Sequence, residues 1–147
     1  KEAESYIADY FDKHQAVKEY MDNQVEFCKA NGYTETIVGR RRYIKEINSS
    51  NFMTRKLGER LAMNSPIQGS AADIIKLAMI SVYKALKDCN LKSKLILQIH
   101  DELIIDTEIG EENQVSELLV NCMQNAMDLK VKLLSQLSTG RNWYELK

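Results

Sequence analysis

The longest helical pattern in this chain runs from Phe52 to about Lys87, and it carries the only proline, Pro66, in its interior. A proline inside a helix removes an N–H donor and crowds the preceding turn. A kink, or two abutting helices, is therefore expected there. Beyond it, Ala71, Ile74, Ile75, Ala78, Met79, Val82 and Leu86 form one apolar stripe, with Ala72, Leu77 and Ile80 lying off it. That pattern predicts burial on more than one face. Whatever fold the chain adopts must be built around this helix.

The flanking segments supply its partners. Ala3, Ile7, Tyr10, Phe11, Val17, Met21, Val25 and Cys28 repeat at helical spacing, and Asn31-Gly32 supplies the stop. Tyr33 to Val38 is rich in β-formers, Gly39 can turn the chain, and Tyr43-Ile44 reads as a short return strand. Asn48-Ser49-Ser50-Asn51 reads as a loop holding a helix N-cap. Lys94 to Ile99 and Leu103 to Thr107 are apolar runs on either side of His100-Asp101-Glu102, which predicts a β-hairpin. The turn lacks Asn-Gly or Asp-Gly, so turn propensity did not select its residues. Glu111 to about Leu129 is a clear amphipathic helix, and Val131 to Leu137 reads as a last strand. The order predicts an α+β fold, a short antiparallel sheet covered by long helices.

Composition narrows the class. The chain has 147 residues, a net charge of −1, and 44% hydrophobic and 28% charged residues, which argues against disorder. No apolar run approaches the roughly 18 residues a membrane helix requires, and the start, Lys-Glu-Ala-Glu-Ser, is not a signal peptide. Three cysteines, Cys28, Cys89 and Cys122, are odd in number and far apart, which favours a reducing, cytoplasmic compartment over a disulfide framework. The absence of an initial Met suggests excision from something longer.

Three clusters could carry chemistry. Asp101 and Glu102 are adjacent carboxylates at a hairpin tip. Hard divalent cations need placed carboxylate oxygens, and Mg²⁺ typically takes one or two together with substrate phosphates. A solvated acidic turn would present the same pair. Arg60, Asn64 and Gln68 stand at i, i+4 and i+8, drifting only about 40° per step on a continuous helix. Such donors suit the acceptors of a DNA minor groove, although an ordinary polar helix face looks alike. Arg40-Arg41-Arg42 with Arg55 and Lys56 would suit a phosphate backbone, or be a solvated basic patch.

Together these segments resemble the C-terminal part of a family A DNA polymerase, the bacterial DNA polymerase I type, over essentially the whole chain. Gln98-Ile99-His100-Asp101-Glu102-Leu103 resembles the motif C sequence QVHDEL. Glu59-Arg60, Asn64 and Pro66-Ile67-Gln68-Gly69-Ser70-Ala71-Ala72-Asp73 resemble the ER…N-x-P-x-QGTAAD block. Thr36, Gly39-Arg40-Arg41 and Asn48 to Asn51 resemble T-x-x-GRR…INSSN, and Gly140-Arg141-Asn142-Trp143 resembles the terminal G-x-NW. Thr54 stands where the family often has Arg, and Lys132 where it usually has Pro.

The resemblance implies a role for each matching residue. Asp101 is similar to the aspartate that holds catalytic Mg²⁺, and Glu102 to its companion acid, so both are implied as catalytic and metal-ligating. His100 resembles the histidine next to the primer terminus. Arg60, Asn64 and Gln68 resemble palm residues that contact primer–template in the minor groove; Arg55 and Arg41 are implied as further nucleic-acid contacts. The fold implied is part of a right-hand polymerase palm, its sheet made of the motif C hairpin plus the C-terminal strand. Residues 1–32 fall at the fingers–palm junction as a helix, and residues 33–147 in the palm. The parent reaction is template-directed transfer from dNTP to a primer 3′-OH with two Mg²⁺ ions.

The family's DYSQIELR-like strand with the second aspartate, and its R-x-x-x-K-x-x-x-F-G-x-x-Y-G fingers helix, do not occur in this sequence. The fragment alone is therefore expected to be inactive and to depend on the rest of the parent chain, with dNTP held mostly by the fingers. A different reading is a non-catalytic nucleic-acid-binding module using the Arg40–Lys56 patch. An independent metal-dependent nuclease would need a further carboxylate near the hairpin.

Overall fold

The helical repeats of the first 31 residues form two helices in the computed structural model, which describes residues 2–146. These are α1 (Glu2–Lys13) and α2 (Gln15–Asn31). The single helix expected there breaks at His14, whose backbone leaves the helical region at φ −124 and ψ 54. The break is slight in hydrogen-bonding terms. His14 N still donates to Tyr10 O at 3.0 Å, and His14 O accepts from Val17 N at 3.0 Å. Gly32 ends α2 as expected. It takes φ +78, which costs glycine nothing, and its N–H donates to Cys28 O at 2.7 Å.

Two short strands follow, β1 (Tyr33–Glu35) and β2 (Arg41–Tyr43), paired antiparallel with Thr34 opposite Arg42. The return strand thus begins inside the arginine run, earlier than the β-formers alone suggested. A 3-10 turn (Lys45–Asn48) leads to Asn51, whose Oδ1 accepts from Met53 N at 2.9 Å and Thr54 N at 3.1 Å. That is the expected N-cap, satisfying two donors that a helix start leaves unpaired.

The helix so capped, α3 (Phe52–Asp88), is continuous over 37 residues with Pro66 inside it. Of the kink or two abutting helices expected at the proline, the two helices do not form: α3 runs through it unbroken. The expected second buried face is realised only in part: off the stripe Asp73 is buried and Ala72 half-buried. Leu77 is 40% and Ile80 51% exposed, while Ala78, Val82 and Leu86 are buried.

Beyond α3 come β3 (Lys94–Ile99) and β4 (Glu102–Asp106), then α4 (Glu112–Gln124) and a 3-10 turn (Trp143–Leu146). The strands pair antiparallel, Ile99 opposite Glu102 and Leu95 opposite Ile105, with a register shift between Leu95 and Leu97. Helix α4 stops short of Leu129 at Asn125, whose backbone leaves the helical region at φ −104 and ψ 17 and whose Nδ2 donates to Asn121 O at 2.9 Å.

The fold class is α+β, with two separate two-stranded sheets. One expected element is absent. Residues 131–137 form no strand among the described residues, so the hairpin sheet lacks its third member. Period-two alternation there puts Val131, Leu133, Ser135 and Leu137 on one face, and Ser135 interrupts it. A strand without a continuous apolar face has a weakly specified register.

The chain divides into two compact units, residues 1–70 and 71–147. The core of the first gathers Cys28, Ile44, Ile47 and Ala62. That of the second gathers Ala78, Val82, Leu86, Leu103 and Val115, with Leu95 and Ile105 packed against it. In the second unit Glu111 clasps the turn before β3. Its carboxylate accepts from Lys92 N (3.0 Å), Ser93 N (3.0 Å) and Ser93 Oγ (2.6 Å). The backbone N–H of Lys92 leads the causes that hold this carboxyl below its usual value, followed by the Ser93 hydroxyl. A depressed native value makes the contribution present above the unfolded carboxylate value, about 4.3, and lost as pH falls through the native one. Glu111→Gln should therefore lower Tm at pH 7, with the difference from wild type shrinking progressively below about pH 4 in thermal scans. A difference that does not change with pH would contradict this role.

Candidate functional site

The hairpin tip is fixed from below by the second core. Leu103 is buried at 8% exposure, whereas its neighbour Glu102 is exposed, as the alternation of a strand requires. Since Ile99 pairs with Glu102, the loop is two residues, His100 and Asp101. His100 takes φ +51, in the left-handed region that two-residue turns usually give to Gly or Asn. A non-glycine residue there costs on the order of 1–2 kcal/mol. Gln98 braces the strained turn: its Nε2 donates to His100 O at 2.6 Å. Sequence reasoning did not give Gln98 a role. Its signal was a long amide donor two residues before a turn without turn residues.

Asp101 and Glu102 are exposed and line an open cavity of about 380 Å³. Its other walls include Leu119 and Met123 of α4, Leu134 and Trp143. The donor set, two adjacent carboxylates, suits Mg²⁺, which takes one or two protein carboxylates and completes its shell with water and phosphate. Among the described residues no three His, Cys, Asp or Glu side chains gather as a metal-binding group. As donors to Mg²⁺ these two residues would supply only part of a coordination set. The Trp143 turn near the C-terminus is closed by Glu145, which accepts from Arg141 N and Asn142 Nδ2, both at 2.8 Å.

The other expected site residues belong to the first unit. Arg60, Asn64 and Gln68 are all exposed on α3, and its continuity puts them in one row, as the i, i+4, i+8 spacing requires. Among the described residues none of these three side chains has a hydrogen bond or ion pair.

The basic cluster is largely turned toward its own fold. Arg41 Nε donates to Glu35 Oε1 at 2.7 Å, and its guanidinium lies 4.5 Å from the centre of the Tyr33 ring. The Glu35 hydrogen bond leads the causes that raise the Arg41 pKa. Arg55 Nη1 donates to Ser49 O at 2.9 Å, and Lys56 Nζ pairs with Glu59 at 2.7 Å. Arg40 Nη2 donates to Gly69 O at 3.0 Å. A guanidinium has five donors, so these bonds leave Arg41 and Arg55 others to offer a phosphate.

Comparison with known proteins gives the family. The DNA polymerase family A model matches residues 1–145, and the chain belongs to that family. It is 54% identical over 147 residues to a DNA polymerase I of Caldicellulosiruptor bescii, covering 100% of this chain and 17% of that protein. To a DNA polymerase I of Borreliella burgdorferi it is 47% identical over 146 residues, covering 99% of this chain and 16% of that one. A solved structure, the POL domain of Pol1 from M. smegmatis in complex with DNA primer-template and dNTP, superimposes with a TM-score of 0.95 at 44% identity. That match covers 99% of this chain and 26% of the other. The chain thus spans about one sixth of the curated relatives it matches.

Proposed function

We propose that these residues are the C-terminal palm part of a DNA-directed DNA polymerase, residues 1–32 lying at the fingers–palm junction and 33–147 in the palm. The observation that carries this reading is the Asp101-Glu102 pair, held at a braced, strained tip in a chain of family A. In the full-length parent, Asp101 and Glu102 hold Mg²⁺ together with carboxylate from a part of the protein outside these residues. Bound there, Mg²⁺ supplies Lewis-acid charge neutralisation at the transferring phosphoryl group and orients the primer 3′-oxygen. His100 borders the primer end. Arg60, Asn64 and Gln68 donate to minor-groove acceptors, which A·T and T·A pairs present alike, so they sense duplex shape without reading sequence. Arg41 and Arg55 add phosphate contacts with their remaining donors. The partners are primer–template DNA and dNTP, and the compartment is the cytoplasm. No helix among the described residues is long and apolar enough to cross a membrane.

Mg²⁺-dependent primer extension by the full-length parent tests the assignment. Arg60→Ala should weaken primer–template binding about tenfold, the size of one hydrogen bond to a charged group. Extension at limiting DNA should fall by a similar factor. Unchanged duplex affinity, measured by fluorescence anisotropy, would remove Arg60 from the interface. The alternative, an autonomous basic module using the Arg40–Lys56 patch, predicts salt-dependent DNA binding by this chain alone that Asp101→Asn leaves unchanged.

A further inference from the structure

Pro66 lies between Asn64 and Gln68 in sequence but is itself buried, on the side of α3 turned away from their exposed row. Its ring nitrogen cannot donate, so the carbonyl four residues back loses its helical partner. Ser70 adds a second perturbation. Its Oγ donates to Pro66 O at 2.6 Å, a back-bond of the kind that bends helices. Any bend at this point rotates Gln68 away from Arg60 and Asn64. Something must set the bend if the three are to act as one row.

The turn between β1 and β2 is in position to set it. The turn is organised by its own bonds: Thr36 N donates to Arg40 O at 2.9 Å, Gly39 N to Thr36 O at 2.8 Å, and Arg40 N to Thr36 Oγ1 at 3.2 Å. It meets α3 at three points. Arg40 Nη2 donates to Gly69 O at 3.0 Å, and Ile37 N donates to Ser70 Oγ at 2.9 Å. Thr36 packs so closely that a Cβ on Gly69 would stand 2.5 Å from its Cγ2. The carbonyls of Pro66 and Gly69, one on each side of Gln68, are thus both held by side chains, Ser70 and Arg40.

We propose that the β1–β2 turn is a splint for the helical turn that carries Gln68, and that Arg40 is the positioning residue through which it fixes that side chain against a duplex minor groove. The second half rests on the minor-groove reading given under Proposed function. Arg40 does not contact DNA in this scheme. It aligns a residue that does.

A double-mutant cycle in the full-length parent, with amide exchange alongside, tests it. Arg40→Ala should weaken primer–template affinity about tenfold, within the range of coupled neighbours, and have no further effect in a Gln68→Ala background. Arg40→Lys, which can still reach Gly69 O, should recover part of the loss. Without DNA, Arg40→Ala should speed amide exchange at residues 67–70 and leave the salt dependence of binding unchanged. Ser70→Ala, which removes the acceptor of Ile37 N, should give the same pattern and carries the test if Arg40→Ala does not fold. Multiplying effects of Arg40→Ala and Gln68→Ala would overturn the positioning role. So would a salt slope reduced by about one, the mark of a direct phosphate contact. Unchanged exchange at 67–70 would overturn the splint even where Gln68 binds DNA. An unaltered affinity in Gln68→Ala alone would overturn the minor-groove reading and the positioning role with it, whatever the exchange shows.

Discussion

Asp101→Ala in the full-length parent is expected to lower Mg²⁺-dependent primer extension by about 10³-fold or more, while primer–template affinity stays within about twofold. The magnitude follows from what the carboxylate supplies. Metal neutralisation of developing phosphoryl charge contributes several kcal/mol, and each 1.36 kcal/mol is about tenfold in rate. The specificity of the loss follows from the hairpin. Asp101 is exposed, whereas the hairpin is anchored by Leu103 in the core with Leu95 and Ile105 packed against it. Only His100 of the two loop residues takes a positive φ, so alanine at 101 meets no backbone strain. Asp101→Asn should fail nearly as badly, because it keeps the shape and removes the charge. Near-normal extension by either variant would sink the assignment.

The parts of this site that the sequence made legible are those whose signal is local. Asn51 announces its cap by residue type and fulfils it with two backbone bonds. Gly32 announces a helix end and takes the left-handed conformation. The hairpin is bounded by two apolar runs, and its acids stand out at the tip because nothing in turn propensity explains them. What the sequence left obscure depends on distant partners. The continuity of α3 through Pro66 could not be read from a window that contains only the proline, since the β1–β2 turn gripping it lies about thirty residues earlier. The inward turn of the basic cluster was hidden for the same reason. Glu35 is near Arg41 in sequence, yet only the pairing of β1 with β2 puts Arg41 opposite it. The missing strand at 131–137 reverses the lesson: β-formers were present, but Ser135 breaks the face that a sheet would bury.

Gly58→Ala is expected to destabilise the chain by about 1–2 kcal/mol, although alanine is the better helix former by about 1 kcal/mol. The reason is what a methyl group would meet. A Cβ at Gly58 would stand 2.7 Å from both Cα and N of Ile47 and 2.8 Å from the carbonyl carbon of Glu46. All three are backbone atoms of the 3-10 turn, so no side chain can rotate to make room. The turn would have to lift from α3, taking Ile47, which is 2% exposed and part of the first core, with it. Overpacking of this kind costs roughly 1–3 kcal/mol; the backbone contact places it in the upper half of that range, which less the propensity gain leaves about 1–2 kcal/mol. Thermal unfolding of the 147-residue chain should show Tm lowered by about 2–8 °C, given about 2–4 °C per kcal/mol at this size. Gly69→Ala is the informative contrast. There the obstruction at 2.5 Å is the Thr36 methyl rather than backbone, so one rotamer and its bond from Arg40 N must give instead of a whole turn, and its thermal cost should be the smaller of the two. If Gly58→Ala left Tm unchanged or raised it, helix propensity would outweigh the contact, and the turn would prove free to move off the helix.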